Sequence, residues 1–192
     1  RGHDTLGLMP TGGGKSITFQ VPTLAQEGLC LVITPLIALM KDQVNNLRAR
    51  GIKATAIYTG LTRDEVIVAL ENCIFGEYKF LYVSPERLSS DIFLAKLKRI
   101  PVKMIAVDES HCISQWGHDF RKEYTQLSRI KEKFPKVPII ALTATADRLT
   151  RDDIARQLNL TNPYKYVSSF DRPNISIKVM SNPGSRKKMS II

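Results

Sequence analysis

The stretch MPTGGGKS, residues 9–16, sets three consecutive glycines in front of a lysine and a serine. Glycine runs lose more conformational entropy on folding than other residues, so the backbone path here must require them. Gly12, Gly13 and Gly14 allow successive N–H groups to point inward around an anion, with no Cβ to hold oxygen atoms away. A helix starting at Lys15 would turn its positive end toward that anion. The chemistry is polyphosphate binding. Thr11, Gly12, Gly13 and Gly14 form the cradle, Lys15 reaches the β- and γ-phosphates, and the Ser16 hydroxyl ligates Mg²⁺. The general pattern G-x-x-x-x-G-K-[ST] has glycine where this chain has Met9. Taken alone, the segment also reads as a glycine-rich turn with Ser16 capping a helix.

A second segment raises the first above that reading. In MIAVDESH, residues 104–111, four apolar residues end in Asp108 and Glu109. Two carboxylates then sit at the tip of a buried strand. Mg²⁺ takes oxygen ligands and keeps several waters, which suits Asp108 to holding the metal. Glu109 is suited to orienting and deprotonating an attacking water. An acidic turn at a helix N-terminus would look similar by itself; beside a phosphate loop, nucleoside triphosphate hydrolysis is the better reading.

The elements that must position these groups alternate in type. Strand-like runs cover 5–9, 29–34, 54–58, 79–83, 102–107, 138–143 and 164–169, and helical patterns cover 15–26, 36–49, 62–74, 86–99, 121–134 and 147–158. Short apolar strands separated by helices predict an α/β fold, a mainly parallel sheet with helices on both faces. Such sheets hold ligands at the carboxyl ends of their strands. The 192 residues carry 28 Lys+Arg against 18 Asp+Glu, a net charge of +10, which favours a polyanionic partner such as nucleic acid. Cys30, Cys73 and Cys112 lie far apart and show neither zinc-ligand spacing nor a disulfide framework. No apolar run reaches the length of a membrane span. We therefore expect an intracellular protein with reduced thiols.

MPTGGGKS, DESH and ALTATA (141–146) resemble motifs I, II and III of superfamily 2 helicases. TPLIALMKDQV (34–44), YVSPERL (82–88), CISQWGHDFRKEY (112–124) and SSFDRPNI (168–175) resemble the RecQ family of DNA helicases, and the likeness runs from about residue 3 to about residue 178. That family generally carries methionine at the position of Met9. The chain departs from it at Ser110, where alanine is usual, and at Lys122, where proline is common. The resemblance implies a RecA-like P-loop domain that binds ATP and Mg²⁺. It assigns Gly12, Gly14, Lys15 and Ser16 to the phosphate loop, Asp108 and Glu109 to metal and water, and His111 to the link between ATP state and DNA. Thr143 and Thr145 become the coupling motif, where hydroxyls exchange hydrogen-bond partners; without the resemblance they read as strand residues.

SQWGHDFR has a reading of its own. Trp116 and Phe120 are large rings in a polar loop, where they can stack on bases while Arg121 pairs with phosphate. Gln115 and His118 complete the expected DNA-binding and coupling set. The competing reading makes Trp116 an anchor on the core. Lys41 and Gln43 are candidates for touching the DNA backbone.

The resemblance makes residues 1–178 the first RecA-like helicase domain, truncated at its N-terminus, and 179–192 a linker or the start of a second motor domain. Its implied partners are DNA, both single-stranded and at duplex junctions, and a second RecA-like domain of the same parent chain that supplies arginine fingers. The expected function is the ATP-binding motor lobe of a 3′-to-5′ DNA helicase in repair and recombination. The alternatives are another superfamily 2 translocase and an ATP-gated nucleic-acid clamp that does not unwind.

Overall fold

The computed structural model describes residues 2–116 and 119–169. His118, the expected linker 179–192 and residues 170–178, with most of SSFDRPNI, lie outside the described residues.

Seven strands form one sheet, all parallel: β1 Thr5–Leu8, β2 Leu29–Ile33, β3 Ala54–Ile57, β4 Phe80–Val83, β5 Val102–Val107, β6 Ile139–Thr143 and β7 Tyr164–Val167. Their order across the sheet is β3-β4-β2-β5-β6-β1-β7. Parallel neighbours need long crossovers, and helices supply them. These are α1 Lys15–Leu24, α2 Ile37–Ala49, α3 Arg63–Phe75, α4 Asp91–Leu97, α5 Leu127–Lys133 and α6 Arg148–Gln157.

Alternation along the strands sorts the core into two layers. Leu31 and Ile33 face one side with residues of α3, α4, α5 and α6, while Cys30 and Val32 face the other with Phe19 of α1 and Met40, Val44 and Leu47 of α2. The sheet is therefore covered on both faces, as the apolar runs require. β7 lies at an edge and is exposed along its length.

Two expected helices are divided. The pattern over 86–99 becomes a 3₁₀ turn, Pro85–Ser89, followed by α4. Ser90 is the reason: its hydroxyl accepts the Phe93 N–H at 3.4 Å, so a new helix begins there. The pattern over 121–134 becomes a 3₁₀ turn, Lys122–Gln126, and then α5. Arg121 stays extended and its carbonyl accepts the Tyr124 N–H at 3.0 Å, which closes a tight turn rather than an α-turn.

At the sheet edge remote from the strand tips, Asp4 is buried and saturated with donors. Its Oδ1 accepts from Lys131 Nζ and the Ile139 N–H, each at 2.9 Å, and its Oδ2 accepts from Lys131 at 3.0 Å and the Thr161 N–H at 2.9 Å. One carboxylate thus joins the entries of β1 and β6 to α5 and to the turn before β7. Burial pushes this carboxyl up, but the backbone and Lys131 hydrogen bonds outweigh it and hold it below its ordinary 3.8. A depressed acid stabilises the fold fully above its unfolded value and loses that contribution as pH falls through the folded value. Asp4→Ala should cost about 3–5 kcal/mol, as expected when one partner of a buried pair is removed. Urea titrations between neutral pH and about pH 3 should show the difference between wild type and variant shrinking below about pH 4; a gap independent of pH would contradict the ionised clamp.

Candidate nucleotide and nucleic-acid site

The order β5-β6-β1 brings together three segments far apart in sequence. Leu8 of β1 pairs with Thr143 of β6, and Val107 of β5 pairs with Ala141 of β6. Past the end of β1, the Met9 N–H donates to the Thr143 carbonyl at 3.0 Å. Neighbouring strands lie about 5 Å apart, so the glycine loop, Thr143 and the acidic pair occupy one short stretch of sheet edge.

The glycine loop adopts backbone angles that explain its composition. Gly12 and Gly14 have φ of +78° and +81°, the left-handed region that side chains disfavour. Gly13 turns back so that its N–H donates to the Pro10 carbonyl at 2.9 Å, and a Cβ there would stand 2.9 Å from that same oxygen. Gly14 caps α1 without a side chain, and the first turn of α1 holds no acidic residue. The positive helix end and its N–H groups are left facing the loop. Thr11, Gly12, Gly13 and Gly14 are exposed, and Lys15 and Ser16 are half-buried beside them.

The acidic pair is held from several sides. Asp108 is buried; its N–H donates to the Ile33 carbonyl at 2.8 Å, and its Oδ1 accepts the Glu109 N–H at 3.0 Å. The buried Tyr124 hydroxyl donates to the Asp108 carbonyl at 3.2 Å. Burial and the Glu109 carboxylate push the Asp108 carboxyl above its ordinary range, against the Glu109 N–H and the charges of Lys15 and His111. Glu109 itself has φ of +49°. Such left-handed conformations in non-glycine residues carry strain and cluster at functional sites.

His111 joins the acidic pair to the β6 tip. Its Nδ1 lies 2.9 Å from Thr143 Oγ1 and 3.4 Å from Glu109 Oε2. Thr143 Oγ1 gives its one proton to the Thr145 carbonyl, so the donor role in its contact with the ring is assigned to Nδ1. Thr143 Oγ1 then accepts from Nδ1 and from the Thr145 N–H at 3.1 Å, and donates to the Thr145 carbonyl at 3.1 Å. On the other side of the ring, Nε2 is 3.7 Å from Cys112 Sγ and 3.7 Å from Asp119 Oδ2. One imidazole therefore touches the acidic pair, the 143–145 segment and the aromatic loop.

That loop is pinched at its base, where the Arg121 N–H donates to the Cys112 carbonyl at 2.8 Å. Trp116 is 72% exposed and Phe120 40% exposed. The core-anchor reading of Trp116 is thereby corrected: most of the ring stands in solvent. Gln115, Arg121 and Thr145 are exposed as well. Lys41 is exposed and lies 4.7 Å from the centre of the Tyr58 ring, whereas Gln43 turns inward to accept the Tyr82 hydroxyl at 2.8 Å. Three supporting side chains were given no role by the sequence, although Arg87 and Tyr124 stand within the motifs YVSPERL and CISQWGHDFRKEY. They are Tyr124, Asp153 beneath the aromatic loop, and Arg87, which donates to the Tyr58 and Leu61 carbonyls after β3. Each acts on backbone or on a partner distant in sequence, which no local pattern reveals.

The profile of the DEAD/DEAH box helicases matches residues 1–154, and the chain belongs to that family. Within it, the chain is 53% identical over 174 residues to the ATP-dependent DNA helicase RecQ of Haemophilus influenzae, covering 91% of this chain and 28% of that protein. Against the RecQ of Bacillus subtilis it is 45% identical over 179 residues, covering 93% and 30%. The likeness read from the motifs is borne out. The chain spans less than a third of the length of these relatives. Among solved structures, the helicase MrfA superposes with a TM-score of 0.68 at 19% identity, over 88% of this chain and 28% of that one. The Hef helicase domain of Pyrococcus furiosus superposes with a TM-score of 0.65 at 18% identity, over 86% and 36%. These likenesses concern the fold, which is the expected α/β arrangement.

Ser110, the departure from the usual alanine, is fully buried and its hydroxyl has no partner among the described residues. An unpaired buried hydroxyl costs about 1–3 kcal/mol. Ser110→Ala should therefore raise stability by about 1 kcal/mol or more, read as a higher midpoint in denaturant titration. A lower midpoint would mean that the hydroxyl is satisfied.

Proposed function

We propose that this chain is the ATP-binding motor domain of a RecQ-like 3′-to-5′ DNA helicase acting inside the cell in repair and recombination. The observation that carries the reading is His111, whose ring joins Glu109 to Thr143 and reaches Asp119 in the aromatic loop. A carboxylate that activates water is thus connected, by one side chain, to a loop with two exposed rings. Residues 1–178 form the motor domain, and 179–192 lead toward a second RecA-like domain of the same parent chain, which contributes positive charge across the nucleotide.

ATP sits on the glycine loop. Its phosphates take N–H groups of the glycine loop other than that of Gly13, which the Pro10 carbonyl holds, and those of the α1 N-terminus, with Lys15 on the β- and γ-phosphates. The donor set fits Mg²⁺: the Ser16 hydroxyl, and an Asp108 carboxylate whose burial beside Glu109 disfavours its charge. When bound, the metal supplies positive charge to the phosphate oxygens. Glu109 accepts a proton from the attacking water and is oriented by His111. Thr143 and Thr145 transmit the change: the Thr143 hydroxyl gives its one proton to the Thr145 carbonyl and accepts from His111 and the Thr145 N–H, so a shift of the ring disturbs the bonds to Thr145 as well. The partner is DNA, in single strands and at duplex junctions, stacked on Trp116 and Phe120 and paired with Gln115, His118 and Arg121. The net charge of +10 supports that polyanion over a protein partner.

Nucleotide titration separates the two proposed roles at the phosphates. Lys15→Ala should weaken ATP binding by about 10- to 100-fold, the worth of a charge-assisted hydrogen bond. Glu109→Gln should leave binding unchanged and stop single-turnover hydrolysis in the two-domain protein. Equal loss of binding in the two variants would overturn the assignment.

Fluorescence anisotropy tests the DNA face. Binding of a labelled single strand should weaken with salt, with a slope of about −0.7 in log–log form per phosphate contacted. Trp116→Ala should reduce affinity by about 5- to 100-fold, the worth of one stacked base, with the melting temperature little changed because the ring is exposed. A clamp that does not unwind would pass both tests; strand displacement by the full-length parent tells it from a helicase.

A further inference from the structure

Asp153 has no role in the mechanism above, yet its surroundings are unusual for a carboxylate on a surface helix. It lies on α6, its side chain is only 4% exposed, and its two oxygens have different tasks. Oδ1 takes the Arg156 guanidinium, which is 74% exposed and one turn along the same helix. Oδ2 accepts the Ser114 hydroxyl at 2.7 Å. Ser114 is itself fully buried and stands inside the pinched base of the aromatic loop. A serine hydroxyl has one proton. Because Asp153 can only accept, that proton is committed to it, and the remaining lone pairs face the Trp116 N–H at 3.2 Å. The direction of the relay is therefore fixed: carboxylate, hydroxyl, then the backbone of the residue whose ring stands in solvent.

The same helix begins directly after the coupling segment. Thr145 is followed by Asp147, whose side chain caps α6 by accepting the Thr150 N–H at 2.7 Å. Asp153 lies six residues beyond Asp147, about 9 Å along a stiff helix. The 143–145 segment thus meets the aromatic loop twice: through His111 and Asp119, and through α6, Asp153 and Ser114. Between the loop and α6 opens a cleft of about 400 Å³ lined by Trp116, Leu149, Asp152, Asp153 and Arg156. Packing alone does not immobilise a ring beside so open a space.

We infer that Asp153 is a positioning residue for the aromatic loop, holding the Trp116 backbone through Ser114 and making the loop follow α6 when the Thr143–Thr145 segment changes its hydrogen bonds. The positioning stands on geometry alone; its use in DNA binding rests on the function proposed above. Ser114→Ala removes the relay. Asp153→Asn keeps its size while removing the charge that commits the serine proton.

Trp116 is the single tryptophan of the chain, so intrinsic fluorescence reports this loop alone. The test measures Trp116 anisotropy decay and acrylamide quenching without DNA, then single-strand affinity, nucleotide affinity and melting temperature. All readings are taken well below the melting transition. Lys165→Ala, which breaks the exposed pair between Lys165 of β7 and Asp152 of α6, serves as the control. In both Ser114→Ala and Asp153→Asn the indole should move faster, and DNA affinity should fall about two- to tenfold, the worth of one net hydrogen bond. Nucleotide affinity should hold, and the control should match wild type. Unchanged indole motion in both variants overturns the inference. So does a proportionate loss of nucleotide affinity, indole order and melting temperature, which would make Asp153 a support of the fold in general. Faster indole motion in a chain whose wild type binds no DNA would uphold the positioning role and remove the DNA-facing reading.

Discussion

A parallel sheet sends the carboxyl end of every strand to the same edge, and the site depends on this constraint more than on any single bond. With β5, β6 and β1 adjacent, the acidic pair, Thr143 and the glycine loop meet without any long loop having to carry them there. Thr143 ends β6, the acidic pair follows β5 directly, and the glycine loop follows β1 within a few residues. The position of a reacting group is then set by the packing of the core beneath it, with little freedom left to the group itself. The opposite edge needs its own closure, and Asp4 provides it by joining the entries of β1 and β6 to Lys131 and Thr161.

The strand tips are held against local cost. Asp108 is buried beside a second carboxylate, and Glu109 takes a left-handed backbone. Both are unfavourable by themselves. They persist because the surroundings determine them several times over: Tyr124 holds the Asp108 carbonyl, the strand partner takes its N–H, and His111 stands between Glu109 and Thr143. A region kept in a costly arrangement responds to small changes in charge or hydrogen bonding.

The aromatic loop solves a different problem. Exposed rings in water favour collapse onto any apolar surface, yet Trp116 and Phe120 remain outward. The Arg121 N–H bonds the Cys112 carbonyl and the Trp116 N–H bonds the Ser114 hydroxyl, so backbone on both sides of the rings is tied down. On either side of Lys122, the Arg121 N–H bond and the buried Tyr124 tie down the end of the loop.

Much of this was legible in the chain itself. Apolar runs broken by helical patterns determine a parallel, doubly covered sheet, because strands without a polar face must be buried on both sides. GGGKS after a strand predicts a tight left-handed turn before a helix, and Gly12 and Gly14 take the positive φ that glycine accepts most readily. The acidic pair and the aromatic loop were likewise visible as local residue patterns. What only the tertiary structure decided is everything that depends on strand order and on partners distant in sequence. The order β5-β6-β1 makes His111 a bridge to Thr143, and Ser114 meets Asp153 across 39 positions of the chain. Whether Trp116 faced the core or the solvent was also settled there. A lone tryptophan in a polar loop fits either place, and the hydrogen bonds that hold this one outward come from backbone and side chains that no local pattern connects to it.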